Sequence, residues 1–219
     1  MIYTTIIQNI PMLTKNEFNL LLHFVSPSKQ ERIKQFYLEK DAHNCLLGDL
    51  LVRHEICTLT GLQNYQLEFS YNAHGKPFLV NYPDIYFNIS HTGYYIACAI
   101  NDEPIGIDVE LIKKSDVKIA NRFFTSDEVT YVMDENQDYR FFEIWTKKES
   151  RVKMEGVGLL KPLSSFSVLE PSEISNIYYQ KIFCDNIAIC HVCSSKHINY
   201  KVNIMNVHDF MLTHIPRLI

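Results

Sequence analysis

The sequence predicts an α+β fold of two similar halves, because helices and strands come in blocks rather than in strict alternation. Helix signals fill residues 14–61, strand signals fill residues 67–109, and the same succession returns in residues 125–203. No linker rich in Pro, Gly or Ser separates the two blocks. We therefore expect one half at residues 1–104 and another at 105–219, with a ligand cleft at their interface.

Two helices are predicted near the start of the first half. Thr14 with Glu17 forms a capping box that begins a helix running to Phe24. Ser26 caps the next helix, and Pro27 occupies its first turn. These helices precede the first strong strand signal.

A third helix is predicted from about Asp41 to the residue before Gly61, because leucines recur there with helical spacing. The leucines are Leu46, Leu47, Leu50 and Leu51. Strand-like segments follow, separated by Asn, Gly, Pro and Asp, and they predict a sheet. They cover residues 67–71, 85–89, 94–100 and 105–109.

The second half repeats this order. Thr125 and Glu128 form another capping box, and a long helix is predicted over residues 138–155, ending at Gly156. Strands are expected to return over residues 165–203.

The charge balance excludes a general nucleic-acid binder. With 21 Lys+Arg against 25 Asp+Glu, the net charge is −4, so only local basic clusters can bind anions. No stretch reaches the roughly 18 apolar residues of a membrane span, and residues 1–10 lack a basic start followed by an apolar stretch. We expect a cytoplasmic protein without nucleic-acid or membrane partners.

Most of the six cysteines lie in apolar segments and are expected to be reduced core residues. Cys190 and Cys193 form a CxxC around His191, with His197 nearby, which admits a zinc or redox site. Residues 186–192 favour a strand instead, on which positions three apart point to opposite faces.

The segment IGIDVE (Ile105–Glu110) is a candidate metal site. Asp108 and Glu110 lie two apart on a predicted strand, so both carboxylates project from one face. Convergent carboxylates suit Mg2+, which takes oxygen ligands and keeps positions for water and substrate phosphate. The alternative is an exposed strand end that carries ordinary acidic residues.

The long helix of the second half carries a second candidate group. Trp145, Glu149 and Lys153 are spaced by four and share one side of the helix. The alternative is a Glu–Lys pair on a solvated face. The only tryptophan of the chain, one turn away, favours a partly buried, shaped surface.

A third candidate group ends a predicted strand in FNISHTG (residues 87–93). Ser90, His91 and Thr92 offer hydroxyls and an imidazole at a glycine turn, a combination that suits an oxyanion or phosphate. The alternative is a polar turn. Adjacent Ser and His do not make a catalytic dyad, which argues against a hydrolase.

Basic side chains complete the candidate set. Lys29 and Arg32 lie on the second helix, and Lys76 lies in NAHGKP (residues 72–77). Such side chains can bind several phosphates together, although each alone could be a solvated surface charge.

Together these segments resemble the long, Sfp-like phosphopantetheinyl transferases, and their order and spacing match over nearly the whole chain. The most specific part is IGIDVE followed by WTKKES (residues 145–150) and Lys153. The other matching stretches are SPSKQERIKQFY (residues 26–37), DAHNCLLGDLLVR (41–53), HGKP (74–77), FNISHTG (87–93), RFFTSDE (122–128) and KMEGVGL (153–159).

The resemblance implies a monomer of two α+β subdomains related by a pseudo-twofold axis, with coenzyme A in the groove between them. It implies transfer of the 4'-phosphopantetheine arm of coenzyme A to a serine of an apo acyl- or peptidyl-carrier protein, with release of 3',5'-ADP. The motifs do not specify which biosynthetic pathway supplies the carrier.

The resemblance also assigns residues. Mg2+, for which Mn2+ could substitute, would be held by Asp108, Glu110 and Glu149. Coenzyme A would be held by the side chains of Lys29, Arg32, Lys76, Ser90, His91 and Lys153, with backbone contacts around Gly75, Pro77 and Thr92.

One position departs from the family pattern. Close members carry a basic residue followed by threonine where this chain has Asn44 and Cys45. A positive charge and a hydroxyl are therefore absent near the expected 3'-phosphate, and Lys29 and Arg32 could compensate.

Roles in catalysis follow from the resemblance. Glu149 is predicted to take the proton of the carrier serine, directly or through a water. Lys153 is predicted to stabilise charge on the bridging or leaving oxygen.

The carrier is predicted to dock on a basic segment after the metal strand, because carrier proteins present acidic helices. Its residues are Lys113, Lys114, Lys118 and Arg122. Phe123 and Phe124 are candidates for an apolar anchor there, although adjacent aromatics at a helix end are more often core residues.

Two other functions fit the same residues. A coenzyme A or nucleotide-binding protein without catalysis would keep the groove, and a Mg2+-dependent phosphodiesterase would direct water at the pyrophosphate. Incubation with coenzyme A, Mg2+ and an apo carrier separates the three: transfer makes the carrier heavier, hydrolysis yields free phosphopantetheine, and binding alone yields neither.

Overall fold

The structure of the protein is a computed structural model that describes residues 2–8, 12–170, 172–196 and 199–218. The strands are β1 (Ile2–Gln8), β2 (Phe69–Tyr71), β3 (Pro77–Leu79), β4 (Tyr86–Thr92), β5 (Tyr95–Asn101), β6 (Ile105–Leu111), β7 (Tyr178–Cys184), β8 (Ala188–Ser194) and β9 (Tyr200–Asn206). The α-helices are α1 (Lys15–Leu22), α2 (Pro27–Lys34), α3 (Glu39–Thr60), α4 (Val117–Phe123), α5 (Ser126–Asp134), α6 (Gln137–Glu155), α7 (Ser172–Ser175) and α8 (Val207–Asp209). Across these ranges, every helix is too short or too polar to cross a membrane.

The predicted helix boundaries are confirmed by their caps. The Glu17 amide donates to the Thr14 hydroxyl at 3.3 Å, and the Thr14 amide donates to the Glu17 carboxylate at 2.7 Å, which completes the capping box of α1. Ser26 caps α2 in the same way through its hydroxyl. Helices α3 and α6 end at Gly61 and Gly156, whose φ values of 75° and 69° are left-handed.

The strand prediction is wrong at residues 165–177. A 3-10 turn (Leu163–Ser165) and the short α7 occupy that stretch, and β7 begins only at Tyr178. The buried ammonium of Lys148 donates hydrogen bonds to the Leu163 and Phe166 carbonyls, which holds the segment against α6 instead of in a sheet.

The two halves have the same topology. In each, a first strand is followed by helices, and the last two strands form an antiparallel pair; the first half also has the separate hairpin β2–β3 before that pair. In the first half β5 lies between β4 and β1, and in the second half β8 lies between β7 and β6. This repetition agrees with the predicted α+β fold of two similar subdomains.

The two main sheets pack face to face, with α3 against the outer face of the first and α6 against the outer face of the second. Alternation along the strands sends every second side chain into the layer between the sheets. That layer is formed by Ile6, Tyr95, Ala97, Ala99, Ile105, Ile107, Val109, Ala188, Cys190 and Val192. The opposite faces of β6 and β8 are therefore directed toward α6.

The cysteines of the CxxC lie on opposite faces of β8. Cys190 packs between the sheets, whereas the Cys193 sulfur lies 3.8 Å from the Met154 sulfur on α6. His197 lies outside the described residues. Cys98 is also buried, but Cys184 is exposed, so the prediction that cysteines fill the core does not hold for Cys184.

The last strand returns to the first half. β9 runs parallel to β1, from Ile2 opposite Tyr200 to Gln8 opposite Asn206. Phe210 in the following π-helical turn packs into the core of the first half beneath α3. The division of the chain at residue 104 therefore coincides with the loop between β5 and β6, but residues 200–218 complete the first sheet and its core.

Candidate active site

The candidate site forms where β4 of the first half lies beside β6 of the second. Alternate side chains of β4 reach across to β6, so the seam between the halves is polar. The contacts are Ile107 N to Asn88 Oδ1 at 2.9 Å, Ser90 Oγ to Asp108 Oδ1 at 2.9 Å and Thr92 Oγ1 to Glu110 Oε2 at 3.1 Å.

Asp108 is the centre of this seam and is only 3% exposed. Lys153 of α6 donates to its Oδ1 at 2.5 Å and to the Ser90 hydroxyl at 2.9 Å. The other oxygen, Oδ2, is buried and has no hydrogen-bond partner among the described residues. A buried carboxylate oxygen without a partner is costly, so this atom is a ready ligand for a cation.

Two further carboxylates lie within electrostatic reach of Asp108. Burial raises the pKa of Glu149, and the Asp108 carboxylate raises it further. Burial and Asp108 likewise raise the pKa of Glu110. The Asp108 carboxylate therefore acts electrostatically on both glutamates, and Lys153 is the ammonium hydrogen-bonded to Asp108.

The side chains are not yet arranged around one ion. In the described ranges, no three His, Cys, Asp or Glu side chains are gathered for joint coordination. The Lys153 ammonium is bonded to Asp108 Oδ1, and Oδ2 is the oxygen without a partner among the described residues. The oxygen donor set and the orphaned Oδ2 nevertheless fit a hard cation such as Mg2+.

Close packing of β6 on α6 brings these groups together. A side chain on Gly106 would overlap the Ser150 carbonyl and the Met154 backbone, so only glycine allows the strand and the helix to approach this closely. The approach places Lys153, one residue before Met154, within reach of Asp108, two residues after Gly106.

A groove leads from this seam across the first half. At the α6 end it is lined by Glu149 and Lys153, and at the α2–α3 end by Lys29 and Arg32. The turn at Gly75 and Pro77 lines both ends and joins them. Most of the predicted coenzyme A residues therefore share one groove.

Lys29 is paired in a way that the sequence did not reveal. Its ammonium lies 3.1 Å from the Asp49 carboxylate of α3, which also accepts from Arg53 at 2.6 Å. Burial opposes the charged form of Lys29, but Asp49, Cys45 and Tyr71 together outweigh it and raise the pKa of Lys29. The i, i+4 spacing of Asp49 and Arg53 was the only available signal.

His91 points from β4 toward α3, away from Ser90 and Thr92, because neighbouring strand residues face opposite ways. It lines the groove together with Asn44 and Cys45, the pair that departs from the family pattern. Burial, and then the charge of Lys153, lower the pKa of His91, so the ring is neutral near pH 7.

Lys76 lines the groove and also makes contacts that the sequence did not predict. Its ammonium donates to the carbonyls of Ile105 at 3.2 Å and Met154 at 3.0 Å, both in the second half. Burial lowers its pKa to about 8. The side chain therefore bridges the halves through backbone atoms.

The predicted docking segment is exposed at its four basic residues, and Lys113 and Lys114 border a depression beside Trp145. Phe124 is only 4% exposed and packs against Phe141, so it belongs to the core of the second half. Phe123 is half-buried, edge-on to Trp145. Of the two aromatic anchors considered, Phe124 is therefore ruled out.

Both halves of the chain are similar to known proteins. Residues 12–103 match the family model described as 4'-phosphopantetheinyl transferase, N-terminal, and residues 104–207 match that of the 4'-phosphopantetheinyl transferase superfamily. The chain is 43% identical over 160 residues to the 4'-phosphopantetheinyl transferase Sfp of Bacillus subtilis (strain 168), covering 71% of both chains.

Two further relatives show the same likeness. The 4'-phosphopantetheinyl transferase gsp of Aneurinibacillus migulanus is 38% identical over 171 residues, covering 77% of this chain and 71% of gsp. The L-aminoadipate-semialdehyde dehydrogenase-phosphopantetheinyl transferase of Xenopus laevis is 31% identical over 191 residues, covering 78% of this chain and 63% of that protein.

Proposed function

The chain belongs to the 4'-phosphopantetheinyl transferase superfamily, and on that premise we propose which of its residues carry out the transfer. The protein moves the 4'-phosphopantetheine arm of coenzyme A onto a serine of a carrier protein and releases 3',5'-ADP. The observation that carries the assignment is the contact of Lys153 with Ser90 and Asp108 at the seam.

We propose that Asp108, Glu110 and Glu149 bind Mg2+. The orphaned Oδ2 of Asp108 and the raised pKa values of the two glutamates support this, because a divalent cation would relieve the repulsion among the carboxylates. When bound, the ion would supply charge neutralisation for the pyrophosphate. Lys153, which lies beside Asp108 and Ser90, would add a second positive charge at the substrate.

In the proposed reaction, the serine oxygen forms a bond to the phosphorus that bears the pantetheine arm, and the bond from that phosphorus to the bridging oxygen breaks. Glu149 accepts the serine proton. Lys153 donates to the oxygen that departs with 3',5'-ADP and offsets its charge. Both side chains lie on one side of α6, a turn apart, and line the same groove.

We propose that the rest of coenzyme A lies along the groove toward α2. Lys29 and Arg32 would bind phosphate there, with His91 beside the nucleotide and backbone contacts around Gly75 and Pro77. Ser90 and Thr92 would contact coenzyme A from the seam, where their hydroxyls meet Asp108 and Glu110. Because Lys29 forms an ion pair with Asp49, the negative charge of Asp49 partly offsets the attraction of Lys29 for phosphate.

We propose that the carrier docks on the exposed basic segment beside Trp145, where it would meet complementary charge. The protein would act as a cytoplasmic monomer, since both halves of the site come from one chain. The exposed Cys184 is compatible with a reducing compartment.

Substitution of the two α6 residues tests the roles. We expect Glu149→Gln and Lys153→Ala each to lower turnover by about 100-fold or more, because each removes a group that acts in the transition state. Formation of holo-carrier is followed by mass spectrometry, with coenzyme A binding measured in parallel. Turnover near that of the wild type in both variants would contradict the assignment.

The metal is tested separately. Mg2+ should raise the melting temperature of the wild-type protein and should have a smaller effect on Asp108→Ala, because the variant lacks the orphaned oxygen. Activity that persists in excess chelator, or that is unchanged in Asp108→Ala, would exclude the metal model.

A further inference from the structure

The tip of the β2–β3 hairpin contacts the end of α6 across the interface between the halves. The Asn72 side-chain amide donates to the Gly156 carbonyl at 3.0 Å, and Lys76 donates to the Met154 carbonyl at 3.0 Å. Carbonyls in the last turn of a helix have no partner within the helix. The hairpin of the first half therefore caps the C-terminus of α6 in the second half.

An ammonium suits this position. The C-terminus of a helix carries partial negative charge, which favours a cation. Lys76 also donates to the Ile105 carbonyl at 3.2 Å, so one side chain joins the hairpin, the start of β6 and the end of α6. No carboxylate of the described residues pairs with it.

Packing confines the hairpin tip to this place. Gly156 faces the tip so closely that an added Cβ would lie 3.0 Å from the Lys76 side chain and 3.2 Å from the Asn72 amide. The Asn72 carbonyl oxygen of the side chain also accepts the amides of His74 and Lys76, each at 2.9 Å, which fixes the turn. The Lys76 stem therefore lies pressed between the turn and the helix end.

The end of α6 that accepts hydrogen bonds from Lys76 and Asn72 also carries the proposed catalytic residues. Lys153 immediately precedes Met154, and Glu149 lies one turn earlier. Gly106 of β6 also contacts this turn closely. Without Lys76, the last turn of α6 would lose the ammonium that joins it to the hairpin and to the start of β6.

We infer that Lys76 is a positioning residue, which acts from the first half through the end of α6 to hold Lys153 and Glu149 in register with Asp108. The inference rests on the proposed roles of Lys153 and Glu149. It differs from the expectation that Lys76 binds phosphate, since a phosphate ligand would mainly affect the KM for coenzyme A.

The test compares Lys76→Met, which keeps the apolar stem, with Lys76→Arg, which keeps the charge and the donors. Lys161→Met is the matched control, because Lys161 binds Glu155 at the same helix end without joining the halves. We expect Lys76→Met to lower kcat by roughly 10- to 100-fold with the KM for coenzyme A within about twofold of wild type. Lys76→Arg should recover part of kcat, and Lys161→Met should keep it.

Hydrogen exchange supplies a readout that does not depend on the chemistry. Amides in the last turn of α6 should exchange faster in Lys76→Met than in the wild type or in Lys161→Met. A raised KM with unchanged kcat, or a lowered kcat with unchanged exchange in this turn, would overturn the inference.

A second variant covers failure of Lys76→Met to fold. Asn72→Asp keeps the oxygen that fixes the turn but removes the donor to Gly156, so it should also lower kcat and hasten exchange. If it changes neither, the inference is wrong. Glu149→Gln is assayed alongside: normal turnover there would refute the proposed base, whereas the exchange result for Lys76 would be unaffected.

Discussion

Three lysines that were predicted to bind coenzyme A have different roles in the structure, because their partners differ. Lys29 forms an ion pair with Asp49, and Lys153 forms an ion pair with Asp108. Lys76 donates hydrogen bonds only to backbone carbonyls. The partners of Lys76 are 29 and 78 residues away and are main-chain atoms, which no side-chain pattern can report. The sequence therefore predicted that Lys76 lies near the groove but not what its ammonium contacts.

His191 should make the fold sensitive to acid. Its side chain is 1% exposed, and its Nδ1 lies 2.8 Å from the Thr146 hydroxyl of α6. Burial, reinforced by Lys147 and Lys181, lowers the pKa of His191 well below its usual range. Below about pH 6.5 the unfolded chain therefore takes up a proton that the folded chain does not, and stability falls as the pH falls.

The test uses His191→Asn, whose amide can still meet Thr146. Between pH 7 and pH 5.5, the wild-type protein should lose about 1 kcal/mol more unfolding free energy than the variant. Urea denaturation at both pH values measures this difference. His208→Asn, at an exposed site, should behave as the wild type. Equal pH dependence in wild type and His191→Asn would contradict the prediction.

At the scale of elements, the capping boxes were predictable because their partners lie three residues apart. Thr125 N donates to Glu128 at 2.8 Å, as the spacing predicts. Strand β1 was missed, because it pairs with β5 and β9, which come much later in the chain, and the predicted strand region stopped at residue 203, within β9. Local signals establish helix ends, whereas sheet partners depend on the whole fold.

Glu128 also carries a role beyond its cap. Its Oε2 lies 2.7 Å from Lys148 Nζ, and both side chains are 0% exposed. Its other oxygen accepts the Val168 amide at 2.8 Å. The Glu128–Lys148 ion pair therefore connects α6 both to α5 and to the segment that follows α6.

Breaking this pair from one side should be strongly destabilising. Glu128→Gln leaves the Lys148 ammonium buried without its counter-charge, which should lower the free energy of unfolding by about 3–5 kcal/mol. Urea denaturation measures the loss. Glu31→Gln is the control, because its pair with Lys34 is exposed and should contribute less than about 1 kcal/mol. Similar losses in the two variants would refute the assignment.

At the scale of the whole molecule, the α+β class and the two halves were predictable because helix and strand signals recur in the same order. The return of residues 200–218 to the first half was not predictable, because the sequence of an edge strand does not indicate which sheet the strand pairs with. This return connects the halves a second time, in addition to the loop between β5 and β6.

That second connection predicts one cooperative unfolding transition. Phe210→Ala, at a position with 0% exposure in the core of the first half, should cost about 3–5 kcal/mol. The urea midpoint followed by the fluorescence of Trp145, which lies in the second half, should shift by the same amount as the midpoint followed by far-UV circular dichroism. Leu212→Ala, at a residue 63% exposed, should change stability by no more than about 0.5 kcal/mol. A Trp145 transition that stays at the wild-type midpoint in Phe210→Ala would show that the halves unfold separately.

The pairing of β9 with β1 also orders events during translation. When β1 leaves the ribosome, the strand that will cover its open edge has not yet been made, and neither has the phenylalanine that fills the space beneath α3. The first half of the nascent chain therefore stays incomplete until residue 210 has left the ribosome. Until then the open edge of β1 can pair with other chains, and the first sheet is complete only when β9 joins it.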